Sequence, residues 1–141
     1  MKPESVTIKN LEAAFAGESM AHIKYMYFAK ICRAAGDVES AKVFEETAAQ
    51  EVQHAFGHLD LLYPAADMTP ARALEMAIAG ETYEYTEMYP QFRHLAEQEG
   101  NHKAVAEMNE QIVESKQHAQ RFQNTLAKAA RRFAALTKVE E

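Results

Sequence analysis

Apolar residues along most of this chain recur at the three- and four-residue spacing that lines up one face of an α-helix. The pattern breaks at Gly36-Asp37, over residues 63–70, and at Glu99-Gly100-Asn101. Thr69 followed by Pro70 predicts a helix start, because threonine caps helices and proline is favoured at the first helical position. Four helices are therefore predicted, at about 5–35, 38–62, 70–98 and 101–135.

Two segments of the sequence resemble each other. Residues 11–18, LEAAFAGE, align with residues 74–81, LEMAIAGE. Glu51 lies 33 positions after the glutamate that ends the first segment, and Glu114 lies 33 positions after the glutamate that ends the second. A duplicated helical hairpin explains this spacing, and two hairpins packed face to face form a four-helix bundle. We predict an all-α fold in a single domain, residues 1–141, with hairpins at about 5–62 and 70–135.

Acidic residues interrupt the apolar faces of all four predicted helices, and two helices add a histidine one turn away. The inward-facing residues are Glu18 on the first helix, Glu51 and His54 on the second, Glu81 and Glu84 on the third, and Glu114 and His118 on the fourth. Buried carboxylates without partners are costly, and like charges one turn apart repel each other. Lysine and arginine do not recur on these faces, so metal ions are the better source of balancing charge.

The chemistry of this residue set narrows the choice of metal. Carboxylates with a few imidazoles suit iron or manganese, and one glutamate per helix with two glutamate–histidine pairs is typical of di-metal sites in helical bundles. The single Cys32 excludes a zinc site built from several thiolates and an intramolecular disulfide. A helical interaction module with unused carboxylates remains an alternative, but the sequence argues strongly against it.

Net charge and hydropathy exclude several classes of partner. The chain has 15 Lys and Arg against 21 Asp and Glu, a formal net charge of −6, so it lacks the basic surface that nucleic acids and anionic membranes require. The N-terminal residues MKPESVTIKN contain no apolar segment of the secretory type. No stretch approaches the roughly 18 apolar residues of a membrane span. We predict a cytoplasmic protein without nucleic-acid or membrane partners.

Three segments carry a resemblance to a known family: residues 14–22, AFAGESMAH, residues 47–55, TAAQEVQHA, and residues 79–90, AGETYEYTEMYP. On these motifs the chain resembles the rubrerythrins of the ferritin-like superfamily, and the likeness runs over about residues 8–126. The resemblance implies a ferritin-like bundle with a non-haem di-iron centre. It also implies reduction of hydrogen peroxide to water, a defence against oxidative stress, with manganese or a mixed metal pair as alternatives to iron.

The resemblance assigns roles to individual residues. The iron ligands that it implies are Glu18, Glu51, His54, Glu81, Glu84 and His118. It implies that Tyr25 and Tyr89 orient ligand carboxylates through their hydroxyls. It further implies that Glu84 and His54 exchange as ligands to one iron during the reaction, so these two residues and the two tyrosines form the expected catalytic group. His22 lies outside the family pattern and is expected in the core or beside a ligand. His58 is expected at the end of the bundle or in solvent.

The sequence departs from the family pattern at the fourth helix. The family places a glutamate three residues before the helix-four histidine, where this chain has Ser115. Glu114, one position earlier, is expected to substitute as a ligand, either directly or through a local π-bulge. The alternative is a centre that lacks one bridging carboxylate, which would change its redox properties and its reaction with peroxide.

A second departure concerns the source of electrons. Many family members carry a C-terminal rubredoxin module, whereas this sequence continues beyond Phe133 for only eight residues. We therefore expect an external donor, either a rubredoxin-like protein or an NAD(P)H-linked reductase. An oxidase or ferroxidase acting on dioxygen, and a non-catalytic iron- or manganese-binding protein, remain alternatives that the sequence does not separate from a peroxidase.

The segment between the two hairpins predicts a particular assembly. In a ferritin-like bundle the second and third helices run parallel, so their connection must travel back along the bundle. A helix of about 25 residues is ~38 Å long, whereas residues 63–68 span at most ~20 Å. We therefore predict a domain-swapped homodimer. In each site Glu18, Glu51 and His54 would come from one subunit, and the other subunit would supply Glu81, Glu84, Glu114 and His118.

Overall fold

The computed structural model describes residues 5–140, and the side chains of residues 5–132. This part of the chain is helical throughout apart from short connections, and no strand occurs within it. The helices are α1 (Val6–Ala34), α2 (Val38–Leu62), α3 (Pro70–Tyr83), α4 (Tyr89–Gln98) and α5 (His102–Glu140), with a 3-10 turn at Ala65–Asp67 and a π turn at Glu84–Met88. The predicted all-α class is confirmed. None of the described helices is both long and apolar enough to cross a membrane.

Helix boundaries follow from local capping chemistry. The side chains of Asp37, Thr69 and Asn101 each accept a hydrogen bond from the backbone N–H three residues later, which satisfies one free donor at a helix start. Gly36 and Gly100 have φ of 83° and 72°, the left-handed conformation that ends a helix at low cost only for glycine. The predicted breaks at these positions are confirmed. The last helix continues to residue 140, five residues beyond the predicted end.

The chain divides into two compact units between Asp67 and Met68. In the first unit α1 packs along α2, and in the second unit α5 packs against α3 and α4. Both predicted hairpins are therefore present. Buried alanines recur every seven residues on α2, at positions 41, 48 and 55, and leave room for α1 to pack closely. His22 Nδ1 donates a 2.6 Å hydrogen bond to the carbonyl of Ala48, which joins the two helices inside this hairpin.

A π turn interrupts the helix predicted for residues 70–98. Across Glu84–Met88 the N–H of Tyr89 donates to the carbonyl of Glu84, five residues earlier instead of four. A single π turn accommodates one additional residue while the α-helix continues on both sides. The possible π turn predicted in the last helix, near Glu114, is wrong, because α5 is α-helical throughout its described length.

The additional residue explains a change in the spacing between the two repeats. Residues 11–18 match residues 74–81 at an offset of 63 positions. Beyond the π turn the offset is 64, as in Tyr25 with Tyr89 and Gly36 with Gly100. Every residue of α5 must therefore be compared with the residue of α2 that lies 64 positions earlier.

Candidate metal centre

A cluster of possible ligands lies inside the first unit, where Glu18 on α1 faces Glu51 and His54 on α2. One ligand atom from each of the three residues lies within 4.8 Å of the other two. His54 Nδ1 is 3.4 Å from Glu18 Oε1 and 3.7 Å from Glu51 Oε2. Atoms that share one metal ion at about 2.0–2.2 Å are themselves about 3–4 Å apart, so these separations suit a common cation.

His58 is a neighbour of this cluster, although the sequence pattern predicted it at the end of the bundle or in solvent. Its Nε2 lies 2.5 Å from Glu18 Oε2, and its side chain is 27% exposed. Glu18 Oε2 is buried, and His58 Nε2 approaches it as an ion-pair partner. The signal was present in the sequence, because His58 follows His54 by four positions and Glu51 by seven, on one face of α2.

The second unit repeats part of this geometry with Glu81 on α3 and His118 on α5. His118 Nδ1 is 3.4 Å from Glu81 Oε1, the same separation as between His54 and Glu18 in the first unit. Glu81 Oε2 is also buried without a hydrogen bond. The two halves of the duplicated sequence thus present the same glutamate–histidine pair, and in each the glutamate has a buried oxygen without a hydrogen bond.

Ser115 occupies the position on α5 that corresponds to Glu51, at the offset of 64. It is only 3% exposed, and its Oγ donates a 3.3 Å hydrogen bond to Glu84 Oε2. Glu114 is exposed on the neighbouring side of the helix. The spacing of 33 that suggested Glu114 ignored the additional residue of the π turn. Glu114 as a direct ligand stays a prediction, and the geometry of the second unit does not favour it.

The two expected tyrosines pack against aromatic rings in their own units. Tyr25 lies 5.8 Å from Phe44 and Tyr89 lies 6.3 Å from Phe92, measured between ring centroids. Burial raises the pKa of the Tyr89 phenol, and the nearby negative charge of Glu84 raises it further. The Tyr89 hydroxyl therefore remains protonated at neutral pH and can donate a hydrogen bond.

The chemistry of these residues fits a metal ion. Glu18 and Glu81 each have a buried carboxylate oxygen without a hydrogen bond, an arrangement that costs free energy unless a cation compensates it. Carboxylate oxygens combined with imidazole nitrogens are ligands that iron and manganese accept.

The comparison with known proteins agrees with this chemistry. The sequence profile described as Rubrerythrin matches residues 9–63 and 60–126, which together cover most of the 141 residues. The chain belongs to the rubrerythrin family. Members of this family are di-iron proteins, so two iron ions are the cofactor that this membership assigns to the centre.

Similar proteins include one from Nitratidesulfovibrio vulgaris and one from Porphyromonas gingivalis. Nigerythrin of Nitratidesulfovibrio vulgaris is 37% identical over 132 residues, which cover 82% of this chain and 63% of that protein. Rubrerythrin of Porphyromonas gingivalis is 38% identical over 135 residues, which cover 87% and 67%. The chain thus spans about two thirds of the length of these relatives. A solved structure of nigerythrin in its fully reduced, all-ferrous state matches 92% of this chain and 70% of that chain, at 33% identity and a TM-score of 0.46.

Proposed function

We propose that this rubrerythrin-family protein is a non-haem di-iron peroxidase that reduces hydrogen peroxide to water with electrons from an external donor. The observation that carries the proposal is the repeated glutamate–histidine pair. In each unit a glutamate lies 3.4 Å from a histidine, and one buried oxygen of that glutamate makes no hydrogen bond, at Glu18 and again at Glu81. Two such pairs would provide ligands for a pair of iron ions, which can supply one electron each to the two-electron reduction of peroxide.

The chain's own side chains have distinct tasks in this proposal. Iron bound at the centre would supply two electrons, one per ion, which together with two protons convert one hydrogen peroxide into two water molecules. Glu18, Glu51 and Glu81 would hold the ions, while Glu84 and His54 would exchange as ligands to one of them. Ser115 donates to one Glu84 oxygen and so favours one orientation of that carboxylate. The protonated Tyr89 hydroxyl would orient a ligand carboxylate or hydrogen-bond to bound peroxide.

The complete centre is proposed to form between two subunits of a domain-swapped homodimer. The 25 residues of α2 make a helix of ~38 Å, and the seven residues 63–69 that connect it to α3 span at most ~25 Å. Part of that connection is coiled in the 3-10 turn, which shortens its reach further. A parallel α2 and α3 in one bundle would therefore have to come from different chains.

Mixed dimers test this arrangement. One variant carries E18Q and E51Q, the other carries E81Q and E84Q, and each alone is expected to lose metal binding. In a swapped heterodimer of the two variants, one site combines both damaged units and the other site is intact, so co-expressed heterodimers should regain metal at one of their two sites. Heterodimers that bind no more metal than the homodimers would show that each site is built within one chain.

A stopped-flow comparison tests the reaction. The di-ferrous protein is mixed with hydrogen peroxide or with dioxygen, and oxidation of iron is followed by absorbance. We expect oxidation by peroxide to be faster, with E84Q slowed and the exposed E87Q in the same π turn unchanged as a control. Oxidation no faster with peroxide than with dioxygen would favour the oxidase or ferroxidase alternative. Metal binding without turnover with any reductant would favour a metal-binding protein.

The electron donor is proposed to lie outside these 141 residues, as a rubredoxin-like protein or an NAD(P)H-linked reductase. The 141 residues contain one cysteine, so they do not provide the four thiolates of a rubredoxin-type iron site. Steady-state peroxide consumption with NADH, measured with and without an added rubredoxin and its reductase, would identify the donor class. The cytoplasmic location expected from the sequence stays a prediction.

A further inference from the structure

The first unit exposes large apolar side chains on the side of the hairpin that points away from its candidate ligands. Ile23 on α1 and Phe56 on α2 are each 63% exposed. Each lies five residues after a candidate ligand, Glu18 or Glu51, and so points about 140° round its helix from that ligand. The metal centre therefore does not account for this side. We call it the outer face, formed by Ser19, Ile23, Met26, Val52 and Phe56.

The outer face contains a groove between α1 and α2. The groove encloses a cavity of about 270 Å³, and its wall includes Ser19. The apolar residues that line it are Phe15, Ile23, Val52, Ala55, Phe56 and Leu59. An apolar cavity of about 150 Å³ is large enough for benzene, so this groove has room for an aliphatic side chain.

The second unit has polar residues where the outer face of the first unit is apolar. At the offset of 64, Val52 corresponds to Lys116 and Phe56 corresponds to Gln120, both of them exposed. The hairpin therefore forms without apolar residues at these positions. Because adjoining exposed apolar side chains mark interaction sites on proteins, we infer that the outer face is an interface.

The residues of α1 on this side form a self-complementary series. Their spacing alternates between four and three, as in helices that pair along their length, and they are Glu12, Ala16, Ser19, Ile23, Met26 and Lys30. The series is centred on residue 21, with an acid and two small residues before it, and two large apolar residues and a base after it. Two antiparallel copies related by a two-fold axis at this centre would bring each small residue opposite a large one. The acid of each copy would face the base of the other.

We propose that the outer face of the first unit binds the same face of a second copy of this chain, with the two α1 helices antiparallel. Ile23 of each copy lies opposite Ser19 of the other and enters the groove beside Phe56. The two pairs between Glu12 and Lys30 fix the orientation, because a parallel contact would bring like charges together. The glutamate side of the unit remains available for metal. The inference rests on the proposed function for the number of chains alone, since two domain-swapped dimers joined in this way make an assembly of four.

Sedimentation equilibrium of the metal-loaded protein tests this contact. The wild type is expected to have the mass of four chains of 15.9 kDa. The variant I23E/F56Q should have the mass of two, with the dissociation constant of the contact raised at least about 100-fold, because each substitution occurs twice in a two-fold interface. The control I31E replaces a residue that is 51% exposed elsewhere on α1 and should leave the mass unchanged.

A charge reversal tests the antiparallel arrangement and uses only exposed positions. E12K should weaken the association by about tenfold, because it places like charges opposite each other at both ends of the contact. E12K/K30E should restore the association, since opposite charges then meet again. Circular dichroism and elemental analysis are expected to show the same helix content and the same bound metal in all of these variants.

The outcomes separate this inference from the proposed function. A wild-type protein with the mass of I23E/F56Q would overturn the inference while metal binding stands. So would an I23E/F56Q variant of unchanged mass that needs more of an added rubredoxin for peroxide consumption, because the outer face would then belong to the electron donor. An E12K/K30E variant no better associated than E12K would overturn the antiparallel arrangement. A wild-type chain that binds no metal but still associates through the outer face would refute the proposed function and support this inference.

Discussion

The two units of this chain carry equal numbers of candidate acidic ligands at different places. The first unit has one on each helix, Glu18 on α1 and Glu51 on α2. The second unit has both before the connection to α5, Glu81 at the end of α3 and Glu84 in the π turn that follows it. The counterpart of Glu84 in the first unit is Ala21, and the counterpart of Glu51 in the second unit is a serine. The repeat has thus kept two carboxylates per unit while their positions have diverged.

The π turn is the structural difference that accompanies this change. It occurs in the second unit beside Glu84, whereas α1 is a regular helix over the corresponding residues. One additional residue rotates the remainder of the helix by about 100° relative to an uninterrupted α-helix, unless the helix widens locally as it does here. Tyr89 can therefore lie eight residues after Glu81 and still correspond to Tyr25, which lies seven residues after Glu18.

Removal of metal should have the largest effect on stability and should affect both units. At a metal concentration 1,000-fold above the dissociation constant, binding stabilises the folded state by about 4 kcal/mol. For a chain of this size, chelation should then lower the unfolding midpoint by about 15 °C. Differential scanning calorimetry with and without chelator measures this shift.

Matched variants divide that effect between the two units. E18Q and E81Q should each abolish most of the stabilisation by metal, because each removes a carboxylate whose buried oxygen makes no hydrogen bond. The controls are E12Q and E75Q, which replace exposed glutamates at equivalent positions of the two units and should behave like the wild type. If only one of E18Q and E81Q reduces the effect of metal, the two units do not contribute equivalent ligands.

Packing between the helices of the first unit should be the next most sensitive feature. Ala48 is 2% exposed between α1 and α2, whereas its counterpart in the second unit is Ile112. We expect A48I to overpack this contact and to lower the free energy of unfolding by about 1–3 kcal/mol in urea titrations. The exposed neighbour Ala49 provides the control, A49I. An A48I protein as stable as the wild type would show that the first hairpin tolerates the larger side chain of the second.

Much of the fold was predictable from the sequence because its signals are local. The glycines at 36 and 100 and the caps Asp37 and Thr69 act within one helical turn, so helix boundaries agree with the structure to within a residue or two in most places. The glutamate–histidine pair of the first unit was also predictable, since Glu51 and His54 are fixed on one helix face by their spacing.

The π turn was not predictable in this way, and the choice of Glu114 instead of Ser115 as the counterpart of Glu51 results from it. A π turn inside a helix leaves no glycine or proline signal in the residues it contains, Glu84 to Met88. If the repeat offset of 63 is kept beyond the π turn, α5 is aligned with α2 one residue out of register. Glu51 is then matched with Glu114 instead of Ser115. The position of His58 beside Glu18 was missed for a different reason. His58 was predicted from its place near the end of the helix, although it lies on the same helix face as Glu51 and His54.

His58 offers a smaller test of the difference between the units. Its counterpart at the offset of 64 is Phe122, so H58F makes the first unit resemble the second. Because His58 lies beside Glu18, its loss should weaken metal binding by about tenfold without changing the number of ions bound. Competition with a coloured chelator measures the affinity. The control H94F replaces an exposed histidine and should leave the metal affinity unchanged. If H58F also leaves it unchanged, His58 does not contribute to metal binding by Glu18.

The smallest expected effect concerns pH and belongs to the second unit alone. Burial first, and then the charges of Glu84, Glu107 and Glu81, raise the pKa of Tyr89 above the ordinary value of 10.0. In the unfolded chain this phenol ionises near pH 10, while in the folded protein it stays neutral to higher pH. The unfolded state therefore gains stability from ionisation that the folded state does not share, and the free energy of unfolding falls as the pH rises above 10.

Urea titrations of the metal-free protein at several pH values between 9 and 11 isolate this effect. Y89F lacks the phenol and should lose less stability than the wild type above pH 10, while the two respond equally to pH below it. E84Q removes the charge that has the largest effect of the three on the pKa of Tyr89. It should reduce the fall of stability with pH only in part, because burial is the larger cause. Equal slopes for wild type and Y89F would mean that Tyr89 ionises as freely in the folded protein as in the unfolded chain. Glu84, in the π turn, would then not influence the pKa of Tyr89.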